Sequence, residues 1–463
     1  FGESHRWGLF YALSGRWNIS DESWMEPTKK WLSMFAVRFG WGVTGNQPPK
    51  ADTHYSVYNV DGKYINSIGM RPGNIRLTDL RWEQVMDWNL GWNIGLFNDL
   101  LTADINLYSK QTSDLFTNDP KIPSTSGFTS LPMENGGDMK NQGYEINLSL
   151  NRVKIAGDLS ATFNLTFANN RNTITAMDPI RLAAINGTGV NVPDNGEYMT
   201  RVLLNNPFGA LYGLRYKGVY AYSYDHFDQA QAEGATCPVA RDANGNVIYG
   251  PDGTPMQMYY NYTQTKYAFK GGDAIYEDIN HDGSIDHYDV VYLGSSLPKL
   301  TGGFGFRLYY KGWSLNAQFN YRYGNKIANV ARMNAEKMHG SENQSTAVNY
   351  RWRKEGDGAD GSHVLPRALY GAGYNWLGSD RFVEDGSFLR LNYLQFSYGF
   401  ESKLIRRIGL SRLSLYVSGE NLFCLTRYSG VDPEVGYGGM GVTTDNATTP
   451  RAKSYTLGLT ATF

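Results

Sequence analysis

The sequence predicts an all-β protein, and within that class a transmembrane antiparallel β-barrel. Three observations predict it. Apolar and polar side chains alternate over repeated stretches near the 9–11 residues that cross a bilayer when a strand is tilted. The composition is rich in turn-forming and aromatic residues, with 52 Gly, 33 Tyr and 11 Trp in 463 residues. The connectors between the alternating stretches are short and long in turn, the rhythm of barrels with short periplasmic turns and long extracellular loops.

The strands follow in order. In WGLFYALSGRWNI, Trp7, Leu9, Tyr11, Leu13, Trp17 and Ile19 share one face, and Ser14, Arg16 and Asn18 the other. Phe35, Val37, Phe39, Trp41 and Val43 oppose Arg38, Gly40 and Gly42. Trp88, Leu90, Trp92, Ile94 and Leu96 oppose Asp87, Asn89 and Asn93. A short turn at Asn98 and Asp99 leads to Leu101, Ala103, Ile105 and Leu107, which oppose Thr102, Asp104 and Asn106. Tyr144, Ile146, Leu148 and Leu150 make the next stripe; Leu159, Ala161, Phe163, Leu165 and Phe167 the one after. Phe304 to Tyr310 passes through Lys311-Gly312 into Trp313 to Tyr323. The segment from Phe388 to Phe400 is strand-like with a slip of phase, then Leu413, Leu415 and Val417 alternate, and the chain closes on Tyr455, Leu457, Leu459, Ala461 and Phe463.

These amount to about 11 strands, each longer than the ~5–6 residues usual in a soluble sandwich. Trp and Tyr gather near the stripe ends, as in interfacial girdles. Long connectors cover about 45–80, 112–140, 170–300, 325–385 and 428–452, and are placed outside the cell by the short-turn, long-loop rule. The motif FGALYGLRYKGVY in the longest of them reads as an extra hairpin above the membrane. Single-chain bacterial barrels have even strand numbers, and an open sheet would leave two edges of unpaired backbone in hydrocarbon. Roughly half the cylinder is therefore expected outside these residues. The first residue is Phe1, consistent with a processed or truncated chain.

Charge narrows the function classes. The chain carries 43 Lys+Arg against 44 Asp+Glu, a formal net charge of -1, so no basic field points to nucleic acid. Cys237 and Cys424 are too few for a disulfide scaffold. No apolar run approaches the ~18 residues of a membrane helix, a test that is silent on barrels. No nucleophile elbow, HExxH or P-loop occurs. Glu384, Asp385 and Glu420 are carboxylates of the kind glycoside hydrolysis uses in pairs, but nothing in the sequence joins them, and the chain is read as a non-enzyme.

One motif carries metal chemistry. In DINHDGSIDHYD, Asp278, Asn280 and Asp282 occupy positions one, three and five of a calcium loop. Gly283 sits at the sharp turn, Ser284 offers its backbone carbonyl, Asp286 falls at position nine and Asp289 closes the loop at twelve. Asp289 is one methylene shorter than the usual bidentate Glu. His281 and His287 read as exposed loop residues. The flanks KGGDAIYE and VVYLGSSLPKLTGG lack helical spacing, so calcium is expected as a structural clip and not as a sensor's trigger. A solvated Asp/Asn/Gly turn is the alternative.

The assembled segments resemble the C-terminal part of the SusC/RagA family of TonB-dependent outer-membrane transporters. The resembling stretches include FGESHRWGLFYALSGRWNISDESWM, VRFGWGVTGNQ, LRWEQVMDWNLGWNIGLFNDLLTADINLYSKQTSDLF and NGGDMKNQGYEINLSLN. Later come YEDINHDGSIDHYDVVYLGSSLPKLTGGFGF, VEDGSFLRLNYLQFSYGF and LYVSGENLFCLTRYSGVDPEV, so nearly the whole chain is covered in order. The resemblance implies a barrel of about 22 strands, of which residues 1–463 form the C-terminal half, with 170–300 a long extracellular loop region that includes 278–289. It implies an N-terminal plug not present in this sequence, contact of that plug with TonB, a SusD-like lipoprotein lid, a dimer of transporter–lid pairs, and import of oligosaccharides or peptides across a Bacteroidetes-type outer membrane. Substrate residues are not identified by it. Arg16, Arg38, Asn89 and Arg322 are expected to face the wet interior. A soluble β-rich carbohydrate-binding module and a passive porin are the alternatives.

Overall fold

The structure, a computed structural model, describes the chain apart from residues 49–52, 66, 119–121, 180–181, 183–197, 199–202, 262–265, 363–364, 401–408 and 435–441. Eleven strands form one antiparallel sheet in which every strand pairs with its neighbours in sequence. They are β1 (Ala12–Asn18), β2 (Leu32–Asn46), β3 (Glu83–Leu96), β4 (Leu101–Ser113), β5 (Gly137–Ala156), β6 (Leu159–Met177), β7 (Leu300–Tyr310), β8 (Trp313–Tyr323), β9 (Phe388–Gly399), β10 (Arg412–Thr426) and β11 (Ser454–Thr462).

Register carries the apolar stripes from strand to strand. Leu90 stands between Phe39 and Leu107. Ile105 meets Ile146, which meets Phe167. Leu165 stands between Leu148 and Phe304, and Phe304 in turn faces Phe319. Phe396 links Leu315 to Val417, and Val417 faces Leu457. A period of two leaves no other option: a one-residue slip at any ladder would turn the stripe to the opposite face. The result is a continuous apolar belt on one face of a single-layered sheet, with polar side chains on the other.

The tight ends are built from left-handed backbone. Phe97, Asn98 and Asp99 all have positive φ (53, 56 and 59°) between β3 and β4. Gly157 (φ 52°) turns β5 into β6 and Lys311 (φ 53°) turns β7 into β8.

Two strand readings are refined. The first strand begins at Ala12, not Trp7, although Val43 N–H still donates to Tyr11 O (2.8 Å). Upstream, the chain is diverted by Trp82: Phe1 stacks on its ring at 3.9 Å, Phe10 meets it edge-on at 5.3 Å, and Gly2 N–H donates to Leu80 O. Trp7 and Leu9 are thus exposed outside the strand. The phase slip in β9 is a bulge between Leu391 and Tyr393, which lets Leu391 pair with Phe319 while Leu394 pairs with Ala317 on the same face.

The buried core lies in the connectors. Its largest cluster joins Tyr212, Leu214, Tyr260, Phe269, Tyr276, Ile285 and Leu377; smaller ones surround Cys237, Trp376 and Met133. Belt residues stay exposed in this chain, as with Phe39, Val417 and Leu457, where a sandwich would bury them between sheets. The connector between β6 and β7 spans 178–299, slightly inside the expected 170–300; part of it lies outside the described residues.

The expected hairpin in FGALYGLRYKGVY does not form. Ala210–Gly213 pairs with Val291–Ser295, and Tyr216–Val219 with Ala274–Tyr276. The residues a hairpin would use for its turn are held extended by another connector. Leu214 N–H donates to Gly378 O (2.9 Å), and Asp380 N–H donates to Leu214 O (3.0 Å). A side chain at position 213 would meet that strand, since a Cβ on Gly213 would lie 2.5 Å from Gly378 O.

Polar networks lock the connectors together. Asp273 is fully buried and accepts from Arg367 Nε (2.7 Å), Tyr267 Oη (2.7 Å), Lys270 N (2.8 Å) and Asn375 Nδ2 (3.2 Å). Its carboxylate is fully satisfied, the condition under which a buried charge is tolerated. Arg381 bonds Glu336 (3.1 Å) and lies over the Trp376 ring at 4.8 Å. Lys326–Asn329 pairs antiparallel with Val383–Asp385 of the same connector and parallel with Thr444–Asp445 of the last one, joining two connectors.

The two faces predict opposite responses to charge. Leu165→Arg is expected to destabilise the inserted barrel by about 2–4 kcal/mol, and Asn164→Arg on the opposite face by less than about 1 kcal/mol. Urea unfolding in lipid vesicles measures both; equal losses would contradict the assignment of faces.

Candidate functional site

Two regions carry the chemistry expected of the sequence: the acidic loop 278–289 and the polar face of the sheet. The acidic loop is flanked by strands, Ala274–Tyr276 before it and Val291–Ser295 after it. It therefore closes the two strand pairs made with 210–219, where a sensor would have helices.

Its side chains are organised by their own backbone. Asp278 Oδ2 accepts from Gly283 N (2.8 Å), and Asp282 Oδ1 accepts from Ser284 N (2.8 Å). Asn280 Nδ2 donates to Asp282 Oδ2 (2.9 Å). Asp289 spans the loop, accepting from Ile279 N (2.7 Å) and Asp286 N (2.8 Å), while Asp286 Oδ1 accepts from Tyr288 N (2.7 Å). Gly283 is at φ 80°, and a Cβ there would lie 2.9 Å from Met256 Cε. Ile285 is fully buried and pairs with Tyr260, so an apolar anchor in the middle of the acidic loop ties it to the main cluster. That apolar residue was a signal available in the sequence.

The loop is electrostatically uncompensated. Its four carboxylates have His287, 3.8 Å from Asp286, as their ion-pair-range neighbour among the described residues. Burial pushes Asp289 from 3.8 up to about 6; the amides of Asp286 and Ile279 pull it down, and the charges of Asp278 and Asp286 push it up. Burial also raises Asp278, against the Gly283 amide. Among the described residues no group of three or more His, Cys, Asp and Glu is gathered as metal ligands. His281 is exposed and its Nδ1 lies 2.9 Å from Arg241 O; His287 is half-buried.

On the polar face of the sheet, Arg16, Arg38, Asn89 and Arg322 all have the parity opposite to the belt. Arg38 Nη2 bonds Asp104 Oδ2 (2.9 Å) and Asn106 Oδ1 (3.0 Å), Asn106 Nδ2 donates to Asp104 Oδ1 (2.6 Å), and Asn93 also donates to Asp104. Arg16 faces Arg38 across the ladder and bonds Asn18 Oδ1 (2.8 Å). Arg322 lies over the Phe388 ring at 5.5 Å. Asp104 and Asn106 were visible as polar alternates, but their convergence on Arg38 depends on register.

The acids considered for hydrolysis are spent elsewhere. Glu384 bonds Arg332 (2.9 Å) and both the amide and hydroxyl of Ser429 (2.8 and 2.7 Å); Asp385 accepts from Ser387, and Glu420 from Ser454. They share no partner, so no carboxylate pair of the hydrolytic kind is assembled from them.

Comparison with known proteins agrees with this architecture. Residues 1–236 match the family model described as TonB dependent receptor-like, beta-barrel. The TonB-dependent receptor P39 of Formosa agariphila is 29% identical over 458 residues, covering 94% of this chain and 41% of that protein. The TonB-dependent receptor SusC of Bacteroides thetaiotaomicron is 26% identical over 485 residues, covering 100% of this chain and 41% of SusC. The solved structure of the RagAB peptide transporter superposes with a TM-score of 0.72 at 24% identity, covering all of this chain and 44% of that one, and shares the fold. The chain thus spans about two fifths of the length of the curated relatives it matches. The chain belongs to the TonB-dependent receptor β-barrel family of the outer membrane, with SusC/RagA-like members as its relatives.

Proposed function

We propose that this chain forms the C-terminal part of the barrel of a nutrient importer. The importer takes up oligosaccharides or peptides, is driven through TonB, and works with a SusD-like surface lipoprotein. The observation that carries the reading is the two-faced sheet. One face holds an unbroken apolar belt, the other the Arg38–Asp104–Asn106 network, and the connectors above are folded into a packed layer suited to meet a ligand or lid. A SusD-like partner and TonB coupling are carried over from the likeness to SusC and RagAB. A porin would need neither of them. Uptake of labelled oligosaccharides and peptides should be lost on deletion of the gene and on collapse of the proton gradient. Uptake that survives gradient collapse would instead indicate passive diffusion.

The loop 278–289 is proposed as a structural calcium site. Asp278, Asn280, Asp282, the Ser284 carbonyl, Asp286 and Asp289 would hold the ion. The donor set is all oxygen, as calcium requires, and the buried, uncompensated Asp289 gives a divalent cation a charge to neutralise. When bound, the cation supplies the positive charge that the carboxylates lack and ties Ala274–Tyr276 to Val291–Ser295.

The sign of the pH effect follows from Asp289. Its folded value of about 6 exceeds the ordinary 3.8, so ionisation costs stability as pH rises through that window, and the full cost stands above pH 6. Chelated protein should therefore resist proteolysis within 178–299 better at pH 5 than at pH 7. With calcium the order should reverse, because protons compete with the ion for the carboxylates. If a chelator leaves both cleavage and melting unchanged at pH 7, the site is a plain turn.

A further inference from the structure

At the extracellular ends of β6, β7 and β8 lies a cavity of about 510 Å³, within the usual size of small-ligand sites. Its charge departs from that of the chain. Acids and bases nearly cancel overall, 44 against 43, yet the lining holds Arg171, Lys299 and Lys326 and no Asp or Glu among the described residues. By contrast, the cavity beside the acidic loop mixes Arg241 with Asp242 and Asp278.

The two lysines are placed by glycines. A Cβ on Gly324 (φ 83°) would lie 2.9 Å from Lys299 Cγ, and one on Gly294 (φ 140°) would lie 2.6 Å from Lys326 Cγ. The aliphatic stems thus lie directly on bare backbone. Asp385 stands across the ladder from Lys326 and feels its charge, but lies beyond ion-pair range of it, its Oδ1 accepting from the Ser387 hydroxyl (2.6 Å) and amide (3.0 Å). No ion pair within 4 Å involves Arg171, Lys299 or Lys326 among the described residues.

The remaining lining is rich in amides. Asn169 and Asn172 brace the walls: Asn169 Nδ2 donates to Lys299 O (2.5 Å), and Asn172 joins Asn141 Oδ1 (2.9 Å) to Phe208 N (2.9 Å). Asn205 and Asn206 add amides that both donate and accept, Asn206 Nδ2 also reaching Leu204 O (3.4 Å), while Asn170 is held by Tyr108 Oη (3.2 Å) and Asn141 Oδ1 (3.4 Å). Tyr292, 48% exposed, supplies one aromatic face and meets Tyr212 edge-on at 5.8 Å.

We propose that this rim cavity binds an acidic oligosaccharide, with Lys299 and Lys326 on its carboxylate or sulfate groups and asparagine amides on its hydroxyls. A hydroxyl-dense ring matches a lining of amides with little apolar surface, whereas a peptide ligand usually calls for a strand edge or apolar side-chain pockets. The role of the cavity in uptake rests on the import reading above; its binding preference does not.

The test uses the receptor as made in the cell, purified in detergent. Calorimetry compares tetragalacturonate and a sulfated heparin-derived tetrasaccharide with neutral maltotetraose and with tetraglutamate. At least one acidic sugar should bind roughly tenfold or more tighter than the neutral one, with a preference that weakens in salt. The double variant Lys299→Gln/Lys326→Gln should lose about tenfold in affinity for it, and Lys299→Arg/Lys326→Arg should recover most of that. Unchanged heat-modifiable migration checks folding of each variant. No preference for either acidic sugar, unchanged binding by the Gln variant, or a preference for tetraglutamate would overturn the proposal. Gradient-dependent uptake of a neutral glycan alongside any of these results would leave the import reading standing, while acidic binding without uptake would do the reverse.

Discussion

Hydrocarbon offers no hydrogen bonds to a polypeptide, so every amide and carbonyl that crosses it must find its partner in a neighbouring strand. That constraint organises the rest of this chain. It requires each crossing strand to pair on both sides, and the eleven strands pair in strict sequence order, β2 to β10 on both sides and the edge strands β1 and β11 on one. It also requires the lipid-facing residues of all strands to fall on one face, and the registers deliver this from Leu13 opposite Trp41 to Leu415 opposite Leu459. Where β9 would have lost phase, a bulge restores it.

A second consequence concerns where the core can be. A sheet with lipid on one side and water on the other has no interior of its own. The buried clusters accordingly lie in the connectors, which pair, stack and bond with one another across long sequence distances. Asp273 and Arg367 are 94 residues apart, yet the buried carboxylate and the half-buried guanidinium form one ion pair. The acidic loop joins this layer through Ile285 on the inside and its carboxylates on the outside. The rim cavity is formed where this layer meets the strand ends.

What was legible in the sequence follows the same division. Alternation at a period of two marks strands residue by residue, so their number, their faces and the length rhythm of the connectors could be read directly. The acidic loop was legible because its spacing is local. Pairings made across connectors were not. FGALYGLRYKGVY reads as a hairpin until the 378–380 segment takes its turn residues, and nothing near it in sequence announces that segment. The start of β1 was misplaced for the same reason, because the diversion comes from Trp82. Arg38 was visible as an interior residue, but its partners Asp104 and Asn106 depend on two intervening ladders.

The central claim, that alternate side chains meet lipid and water, is tested most directly by site-directed spin labelling along β6 and β8 in proteoliposomes. Collision rates with oxygen, which partitions into lipid, and with a water-soluble nickel chelate should alternate residue by residue in opposite phase, with Phe163, Leu165 and Phe167 on the oxygen side. Rates that rise and fall together, or a flat profile with all these positions shielded from both reagents, would contradict it.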